Sequence, residues 1–528
     1  FFILIIYLEV NYLSDKKSKL AAGSIINLLG SIILRLGGFI YRFILSRLLT
    51  TTGYGIVGLT LPFQNALITG ASGGVPPAIA KYVAQYNAID EKQMVHQIIV
   101  TSVKLMIFMA FIASTIMFII SEPVAIGMWH KPEVLMPLRI VSLIVPFSVL
   151  AGAIRGVFQG FYNMKDLFYS KFLEQIFTLI FAVGLVLLGW YASGAVLGTA
   201  LGFLMSLIGS YYLYCHDIRD KYIVGDFEKI PVREELKILF QIFKFAVPVV
   251  ITGIAEIFIY DTGTFFIGMF MPTMFAGFYT NASALSRIPL MLSNAVSTSV
   301  LPATSEADSL QDKKLLELYI HQSFRYTTLT TLPMSAIIMV FATPIISLFF
   351  GAEYAPGADA LWILVGGMFF FSLYLITSSM CQGLGKPQAP MYALIIGSII
   401  NIVGSYLLIP IYGISGAAFA TTIATFVLMA SLIARLTQIS GIHIPYLDIA
   451  KLVVASVVMV GVLKLFPANL IGMIFGSIIG LVVYFILVLA FKAVKRDDLG
   501  FIDEIVSKSG PLRKFIEPVA DIIYDHAQ

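Results

Sequence analysis

Charge is scarce in this chain of 528 residues, because only 12% of the residues are charged while 59% are hydrophobic. A soluble domain carries about 25% charged residues, so soluble packing does not account for this composition. The mean hydropathy is +0.91, and apolar runs recur at about the 20-residue length that spans a bilayer. The sequence therefore predicts an all-α, polytopic membrane protein.

Cysteine and the motifs of catalysis are equally sparse. Cys215 and Cys381 show no metal-binding or redox spacing. The sequence contains no Walker A loop, no HExxH, no Cys/His cluster and no GxSxG. We therefore expect a protein that is not an enzyme, with no metal site and no cofactor apart from a coupling ion or the membrane potential. The net charge of +4 gives no reason to expect nucleic-acid binding.

Fourteen apolar segments are predicted to cross the membrane. They lie at about 22–47, 56–84, 97–120, 135–158, 168–189, 194–214, 241–264, 269–301, 326–349, 360–381, 390–409, 415–436, 450–466 and 469–491. The second and the eighth are long and contain internal Gly or Pro, so we expect them to be bent or tilted.

Lys and Arg are concentrated in alternate loops. One side of the membrane receives most of them, including Lys313, Lys314 and Arg325. The other side carries only Arg47, Lys131, Arg139 and Lys464. The positive-inside rule then places both termini in the cytoplasm of a multi-pass plasma-membrane protein, in agreement with the even number of spans.

The two halves of the chain share short matches at a nearly constant offset. The matched pairs are Tyr54/Pro77 with Tyr279/Pro302, Gln159-Gly160 with Gln382-Gly383, and Ser193-Gly194-Ala195 with Ser415-Gly416-Ala417. Six spans per copy make the repeats parallel, as in transporters with two related halves. The predicted segments are 1–19 cytoplasmic, 20–215 first lobe, 216–240 cytoplasmic linker, 241–436 second lobe, 437–491 two further spans and 492–528 cytoplasmic tail.

Arginine occurs inside apolar segments that contain almost no acid. Arg35 lies near the middle of the first span, Arg42 toward its end and Arg47 at its rim. A guanidinium at the bilayer centre costs at least about 2.5–3.5 kcal/mol unless it meets water or an anion. Arg35 and Arg42 share one helix face, and Arg287 lies beside the helix-breaking Pro289 of the eighth span. We expect Arg35, Arg42 and Arg287 to hold an anion; a structural ion pair for Arg35 and snorkelling for Arg42 are the alternatives.

A few other polar residues lie within the spans. Glu256 and Asp261 of the seventh span are candidates for an ion pair, a gate or a coupling-ion site. The second and eighth spans carry four candidate sugar contacts, which could equally form interhelical hydrogen bonds: Gln64, Asn65, Asn281 and Ser286. Gly194, Gly198 and Gly202, with Gly416, Ala420 and Ala424 in the second half, predict close helix packing.

Several stretches resemble a known family. One stretch, at 34–87, reads LRLGGFIYRFILSRLLTTTGYGIVGLTLPFQNALITGASGGVPPAIAKYVAQYN. It resembles the first two spans of polysaccharide transporters of the MOP exporter superfamily. Two shorter stretches resemble paired loops of that superfamily: RGVFQGFYN at 155–163 and CQGLGKPQAP at 381–390. A fourth stretch resembles part of the superfamily's second lobe: IIGSIINIVGSYLLIPIYGISGAAFATTIAT at 395–425. The resemblance covers about 18–495 and is nearest to stage V sporulation protein B-like and lipid II flippase-like proteins.

The resemblance implies a V-shaped transporter with two six-helix lobes, a central cavity and two C-terminal helices. It implies that alternating access moves a polyprenyl phosphate- or pyrophosphate-linked oligosaccharide from the inner to the outer leaflet for cell-surface glycan synthesis. Arg35 and Arg42 match the family's cationic first-span pair, with a spacing one residue different, and Arg287 matches its eighth-span arginine. The second-span arginine of lipid II flippases has no counterpart in FQNALITGASGG, which favours another lipid-linked glycan.

Other functions remain open at this point. The first is a cation-coupled multidrug antiporter of the same superfamily, which Glu256 and Asp261 favour and the first-span arginines oppose. The others are a lipid II flippase, a membrane glycan polymerase or ligase, and a scaffold for glycan assembly. The expected partners are the lipid-linked glycan, the lipid bilayer and glycan-assembly enzymes, and we expect a monomer.

Overall fold

The computed structural model describes residues 16–222 and 231–493, with the side chains of the first helix described at Gly30 and from Ile33 onward. Over these residues the chain is helical and forms no strand. The helices are α1 (Lys16–Leu48), α2 (Thr51–Ser72), α3 (Val75–Ala88), α4 (Lys92–Glu122), α5 (Leu135–Gly160), α6 (Met164–Leu185), α7 (Tyr191–Leu213), α8 (Val232–Phe270), α9 (Thr273–Ser286), α10 (Leu290–Ser309), α11 (Lys313–Val340), α12 (Ala342–Phe350), α13 (Ala358–Gly383), α14 (Gln388–Ser440), α15 (Tyr446–Leu463) and α16 (Leu470–Ala490).

Each of the fourteen predicted spans coincides with a described helix, a pair of helices or half of a kinked helix. By length and composition alone, eight stretches of the described residues can cross a membrane, or nine if one bent pair counts as a span. Two of these stretches, Met164–Tyr222 and Gln388–Ser440, each cover two predicted spans. The prediction of an all-α, polytopic membrane protein is confirmed.

Glycines with positive φ separate the paired spans. Gly189 has φ 87° between α6 and α7, and Gly413 has φ 60° and ψ −138° inside α14. A residue with a Cβ rarely adopts such a φ; Tyr191, with φ 44° and ψ −134°, takes part in the first turn beside Gly189. The second span is interrupted between α2 and α3 and the eighth between α9 and α10, whereas bending or tilting of these spans stays a prediction. The ninth span departs from the prediction, because α11 ends at Val340 and α12 turns away by 78°.

The chain divides into two compact units after Gly277. In the first unit α5 is central: 61% of its apolar window is buried, and it packs against α2, α3, α4 and α7. Helix α8 packs against α2, α3 and α4 of this unit, although the sequence places it at the start of the second lobe. The lobe boundaries drawn from the sequence repeat stay a prediction.

In the second unit α13 is central, with 72% of its apolar window buried, and it packs against α10, α11 and α14. The repeat predicted from the sequence recurs in these cores. A Cβ at Gly160, the end of α5, would lie 3.1 Å from the Ala80 carbonyl oxygen. A Cβ at Gly383, the end of α13, would lie 2.8 Å from the Leu301 carbonyl oxygen. The same glycine contact therefore fixes the central helix to the second half of a broken span in each unit.

Small residues bring α6 and α7 into close contact, as the spacing predicts. A Cβ at Gly198 would overlap the backbone of Ala182, and a Cβ at Gly202 would overlap Thr178. In lipid, where apolar burial drives helix association weakly, such approach supplies the packing that holds helices together. The predicted terminal segments 1–19 and 492–528, and most of the loop within 216–240, lie largely outside the described residues.

Candidate functional site

Helix α1 lies against α6 through two glycines. A Cβ at Gly30 would lie 2.6 Å from Phe168 Cδ2, and one at Gly37 would lie 2.9 Å from Gln175 Cγ. Arg35 and Arg42 each follow one of these glycines by five residues, which is about 140° around a helix. The two arginines therefore point away from α6, and Arg35 is exposed while Arg42 is half-buried.

Aromatic residues lie on and near the C-terminal part of α1. The Tyr41 hydroxyl lies 3.2 Å from Thr199 Oγ1 and fixes α1 to α7. The Arg42 guanidinium is close enough to Tyr41 and Tyr54 to interact with both phenols electrostatically. Arg47 lies 5.4 Å from the centroid of the Phe43 ring.

No carboxylate pairs with Arg35 or Arg42 among the side chains that the structure describes. Helix α1 contains no Asp or Glu along its whole length. The alternative of a structural ion pair for Arg35 therefore receives no support from the described residues. Within the described part of the chain, these two guanidinium groups on one face of an apolar helix have no carboxylate partner.

Arg287 lies at the break between α9 and α10. Its Nη2 donates to Ser283 Oγ at 3.0 Å, and the residue is half-buried. The backbone passes through the break in short turns, with Leu290 N–H donating to the Arg287 carbonyl at 3.2 Å. The break that Pro289 predicts is therefore present, and Arg287 is located in it.

The predicted sugar contacts differ in their surroundings. Asn281 is fully buried, and its amide nitrogen and oxygen have no hydrogen-bond partner among the described residues. Ser286 is buried and donates to the Ser283 carbonyl at 2.9 Å. Gln64 and Asn65 are half-buried on α2. Contact of any of these four with a sugar stays a prediction.

A hydrogen bond joins two predicted site residues in the first unit. Asn65 Nδ2 donates to Asp261 Oδ2 at 2.8 Å and so connects α2 to α8. Glu256 lies half-buried, five residues earlier on α8. The contact gives Asp261 an interhelical role, whereas pairing of Glu256 with Arg35 or Arg287 stays a prediction.

A polar network around Arg155 in the first unit was not among the sites predicted from the sequence. Arg155 Nη2 lies 2.5 Å from Glu174 Oε2 and 2.8 Å from Ser206 Oγ. Arg155 Nε also donates to Ser170 Oγ at 2.8 Å. The network joins α5, α6 and α7, and the acid inside the fifth span was the available signal.

The predicted location of Arg325 was wrong. The charge pattern assigned it to a loop, but it lies inside α11 and is only 3% exposed. Its Nη1 lies 3.3 Å from Asp448 Oδ2 of α15. The pair fixes the first of the two additional C-terminal spans to the second unit, and Asp448 in the first turn of that span was the sequence signal.

Metal ligation has no support among the described residues, where no group of three His, Cys, Asp or Glu side chains is placed to hold an ion. A coupling ion therefore stays a prediction, as does any role of the membrane potential.

Comparison with known proteins places the chain in a family. A family model described as polysaccharide biosynthesis protein matches residues 20–308, more than half of the chain. The chain belongs to the polysaccharide biosynthesis protein family. A second model, MatE, matches residues 248–407. The resemblance predicted from the sequence is confirmed.

Individual relatives agree with this membership. Stage V sporulation protein B of Bacillus subtilis (strain 168) is 25% identical over 92% of this chain and 97% of its own. The probable low-salt glycan biosynthesis flippase Agl15 of Haloferax volcanii is 27% identical over 51% of this chain and 57% of its own. The solved structure of lipid II flippase MurJ in an inward closed conformation covers 88% of this chain and 98% of its own, with a TM-score of 0.71. At 17% identity that structure shows the shared fold alone.

Proposed function

We propose that this member of the polysaccharide biosynthesis protein family is a flippase for a polyprenyl phosphate- or pyrophosphate-linked oligosaccharide. It moves the headgroup from the inner to the outer leaflet of the plasma membrane by alternating access, for cell-surface glycan synthesis. The observation that carries the proposal is the pair Arg35 and Arg42, exposed and half-buried on an apolar helix that contains no acid. In this proposal an anionic lipid headgroup supplies the counter-charge for both guanidinium groups.

In this proposal Arg35, Arg42 and Arg287 bind the phosphate. A planar guanidinium donates two parallel hydrogen bonds to phosphate oxygens, and such charge-assisted bonds are about twice as strong as neutral ones. Gln64, Asn65, Asn281 and Ser286 contact the sugar, and the prenyl tail stays in lipid. Glu256 and Asp261 act as a gate or as a coupling site.

The names of relatives support a lipid-linked substrate without specifying it. One relative is named as a glycan biosynthesis flippase and another as a lipid II flippase. Helix α2 contains no Lys or Arg, and the lipid II flippases carry an arginine in that span. We therefore favour a lipid-linked glycan other than lipid II.

A second candidate is a cation-coupled multidrug antiporter, which the MatE match over residues 248–407 favours. Such a protein needs a site that attracts cations, and Asp261 and Glu256 on α8 are the acids available. Two arginines on α1 repel a cationic drug over the same depth of the membrane. The flippase therefore accounts for the first unit better than the antiporter does.

Reconstitution into proteoliposomes tests the proposal. A fluorescent polyprenyl-pyrophosphate disaccharide is supplied, and its accessibility to a quencher outside the vesicle is followed. We expect flipping by the native protein and by Arg435→Gln, which changes an exposed arginine, and little flipping by Arg42→Gln or Arg287→Gln. Proton- or sodium-driven dye efflux that needs Glu256, without flipping of any lipid-linked sugar, would establish the antiporter instead.

A further inference from the structure

The loop that connects α4 to α5 holds the C-terminal end of α8. Lys131 Nζ donates to the carbonyl oxygens of Gly268 at 2.5 Å and Met271 at 2.6 Å. Glu133 Oε1 accepts a hydrogen bond from Thr273 Oγ1 at 3.0 Å. One loop therefore fixes both the end of α8 and the start of α9, and all these residues belong to the first unit. We call Lys131, Glu133 and their partners the clasp.

An aromatic contact lies next to the clasp, around Trp129. Trp129 is 3% exposed and packs against Phe63 and Phe265, with ring centroids 5.6 and 5.8 Å away. A Cβ at Gly268 would lie 2.8 Å from both Trp129 Cε2 and Leu59 Cδ2. The glycine therefore lets the indole lie directly on α8, so the closed arrangement is tightly packed.

Helices α2 and α9, next to the clasp, contact each other through backbone atoms at two glycines. A Cβ at Gly55 would overlap the Thr273 carbonyl oxygen, and a Cβ at Gly277 would lie 3.0 Å from the Thr51 carbonyl oxygen. No side chain of either glycine interlocks with the opposite helix, so the start of α9 can leave α2 without rotamer changes at these positions. The geometry suits a contact that forms and breaks.

The closed clasp also contains unfavourable features. His130, beside Lys131, has φ 54°, a left-handed value that costs energy for a residue with a side chain. The Trp129 indole N–H is buried without a partner in the described part of the chain. The Lys131 ammonium is buried against carbonyl oxygens, with no ion pair among the described side chains. A permanent contact gains nothing from these features, because an apolar side chain at position 131 would avoid the burial of charge.

We propose that Lys131 is a releasable gate residue, whose bonds to the end of α8 break and re-form once in each transport cycle. The proposal rests on the proposed function, since it needs a cycle in which the Lys- and Arg-poor face opens. That face is the outer one in the proposed orientation, where the headgroup leaves. Lys131 acts through α8 and α9 and contacts no substrate.

Distance measurements between spin labels test the clasp without any substrate. Labels are attached at Gly127→Cys, where an added Cβ meets nothing within 4 Å, and at Met274→Cys, which is 36% exposed. The background carries Cys215→Ala and Cys381→Ala, and the protein is held in lipid nanodiscs. We expect a short and a long distance in the parent protein.

Charge reversal at position 131 should shift that equilibrium. Lys131→Glu faces the negative end of the α8 dipole and should raise the ratio of long to short distances about tenfold. Lys131→Arg should keep the parent ratio, and so should Lys464→Glu, an equal charge change at an exposed lysine of the same predicted face. A single narrow distance in the parent and in every folded variant would overturn the proposal.

Cross-linking keeps the test decisive if Lys131→Glu does not fold. Glu133→Cys with Thr273→Cys, joined by a short bis-methanethiosulfonate, should stop flipping, and reduction should restore it. Ser297→Cys with Ser379→Cys is the control, because those hydroxyls lie 2.6 Å apart inside the second unit. Undiminished flipping by the cross-linked clasp would contradict the gate. Absence of flipping before cross-linking would instead contradict the proposed function, and the spin-label distances would still judge the clasp.

Discussion

Arginines in this protein occur in two kinds of surroundings. Arg155 and Arg325 each lie within ion-pair distance of a carboxylate inside their own unit. Arg35 and Arg42 have no such partner among the described side chains. Removing a charge from water costs free energy unless a partner compensates it. Arg155 and Arg325, which have such partners, therefore belong to the packing of the fold. Under the proposed function, Arg35 and Arg42 instead bind the anionic headgroup of the substrate.

The Arg325–Asp448 pair makes a prediction about stability. The two side chains are 4% and 10% exposed, so Arg325→Met removes the cationic partner of a buried carboxylate in the second unit. We expect a loss of about 3–5 kcal/mol in the free energy of unfolding, measured by denaturation in detergent. The double variant Arg325→Met with Asp448→Leu should recover most of that loss. Equal instability of the single and double variants would show that packing, and not charge, controls the site.

Lys131 makes a prediction about pH. Burial lowers the pKa of Lys131 from its ordinary value of 10.5, and nearby Glu133 opposes that shift. An opened clasp returns the ammonium to water, so the open state binds a proton more tightly than the closed state. As pH rises from the lowered pKa toward 10.5, the closed clasp should therefore become more populated.

The spin-label pair proposed above measures this effect as a falling fraction of the long distance. Lys131→Arg should show a flat profile, since the guanidinium does not titrate in this range. A long-distance fraction that grows with pH in the parent protein would have the wrong sign for a buried lysine.

At the level of helices, small residues decide which faces meet. Gly30 and Gly37 turn one face of α1 toward α6, and that choice directs Arg35 and Arg42 elsewhere. Between α6 and α7, Gly198 faces the backbone of Ala182 directly. The direction of Arg35 and Arg42 therefore follows from the packing of Gly30 and Gly37 on α6.

Gly198→Val tests this packing. The added side chain has no room against Ala182, so we expect a destabilisation of about 1–3 kcal/mol by thermal or denaturant unfolding in detergent. Gly184→Val on α6 is the matched control, because a Cβ there meets nothing within 4 Å. Equal stability of the two variants would contradict the close approach of α6 and α7.

Helix positions could be predicted well because each span requires a long apolar run, and this requirement is visible in the sequence. Helix breaks at Pro289 and in α2–α3 were likewise signalled by Pro and Gly. The partners of polar residues could not be predicted, since Arg325 and Asp448 are 123 residues apart and meet only through packing of α11 on α15. The partners of Arg155 could not be predicted for the same reason, because they lie on two other helices. The turn after α11 was missed, although Pro344 in the first turn of α12 was an available signal.

For the molecule as a whole, the repeat and the compact units do not share one boundary. The repeat predicted from the sequence would begin its second copy with α8, yet α8 packs against the first unit at several positions along its length. Lys104 pairs with Glu235 near its start, Asn65 bonds Asp261 in its middle and Lys131 caps its end. Sequence similarity between the halves records their common pattern, while contacts along α8 decide which unit it joins.

The proposed orientation predicts which loops reach each side. Single cysteines at Lys464 and Lys314, both exposed, should react differently with a membrane-impermeant thiol reagent applied to intact cells. We expect labelling at 464 without permeabilisation and at 314 only after it, because positive loops stay in the cytoplasm. The opposite pattern would invert the topology and place the clasp on the inner face.

Recognition of an anion inside the bilayer is the central claim. The most direct measurement compares flipping of a fluorescent polyprenyl-pyrophosphate disaccharide with that of the same disaccharide on a polyprenol without phosphate, in proteoliposomes of native protein. The account predicts flipping of the pyrophosphate lipid, little flipping of the neutral lipid, and loss of this preference in Arg35→Gln with Arg42→Gln. Equal flipping of both lipids by the native protein would contradict it.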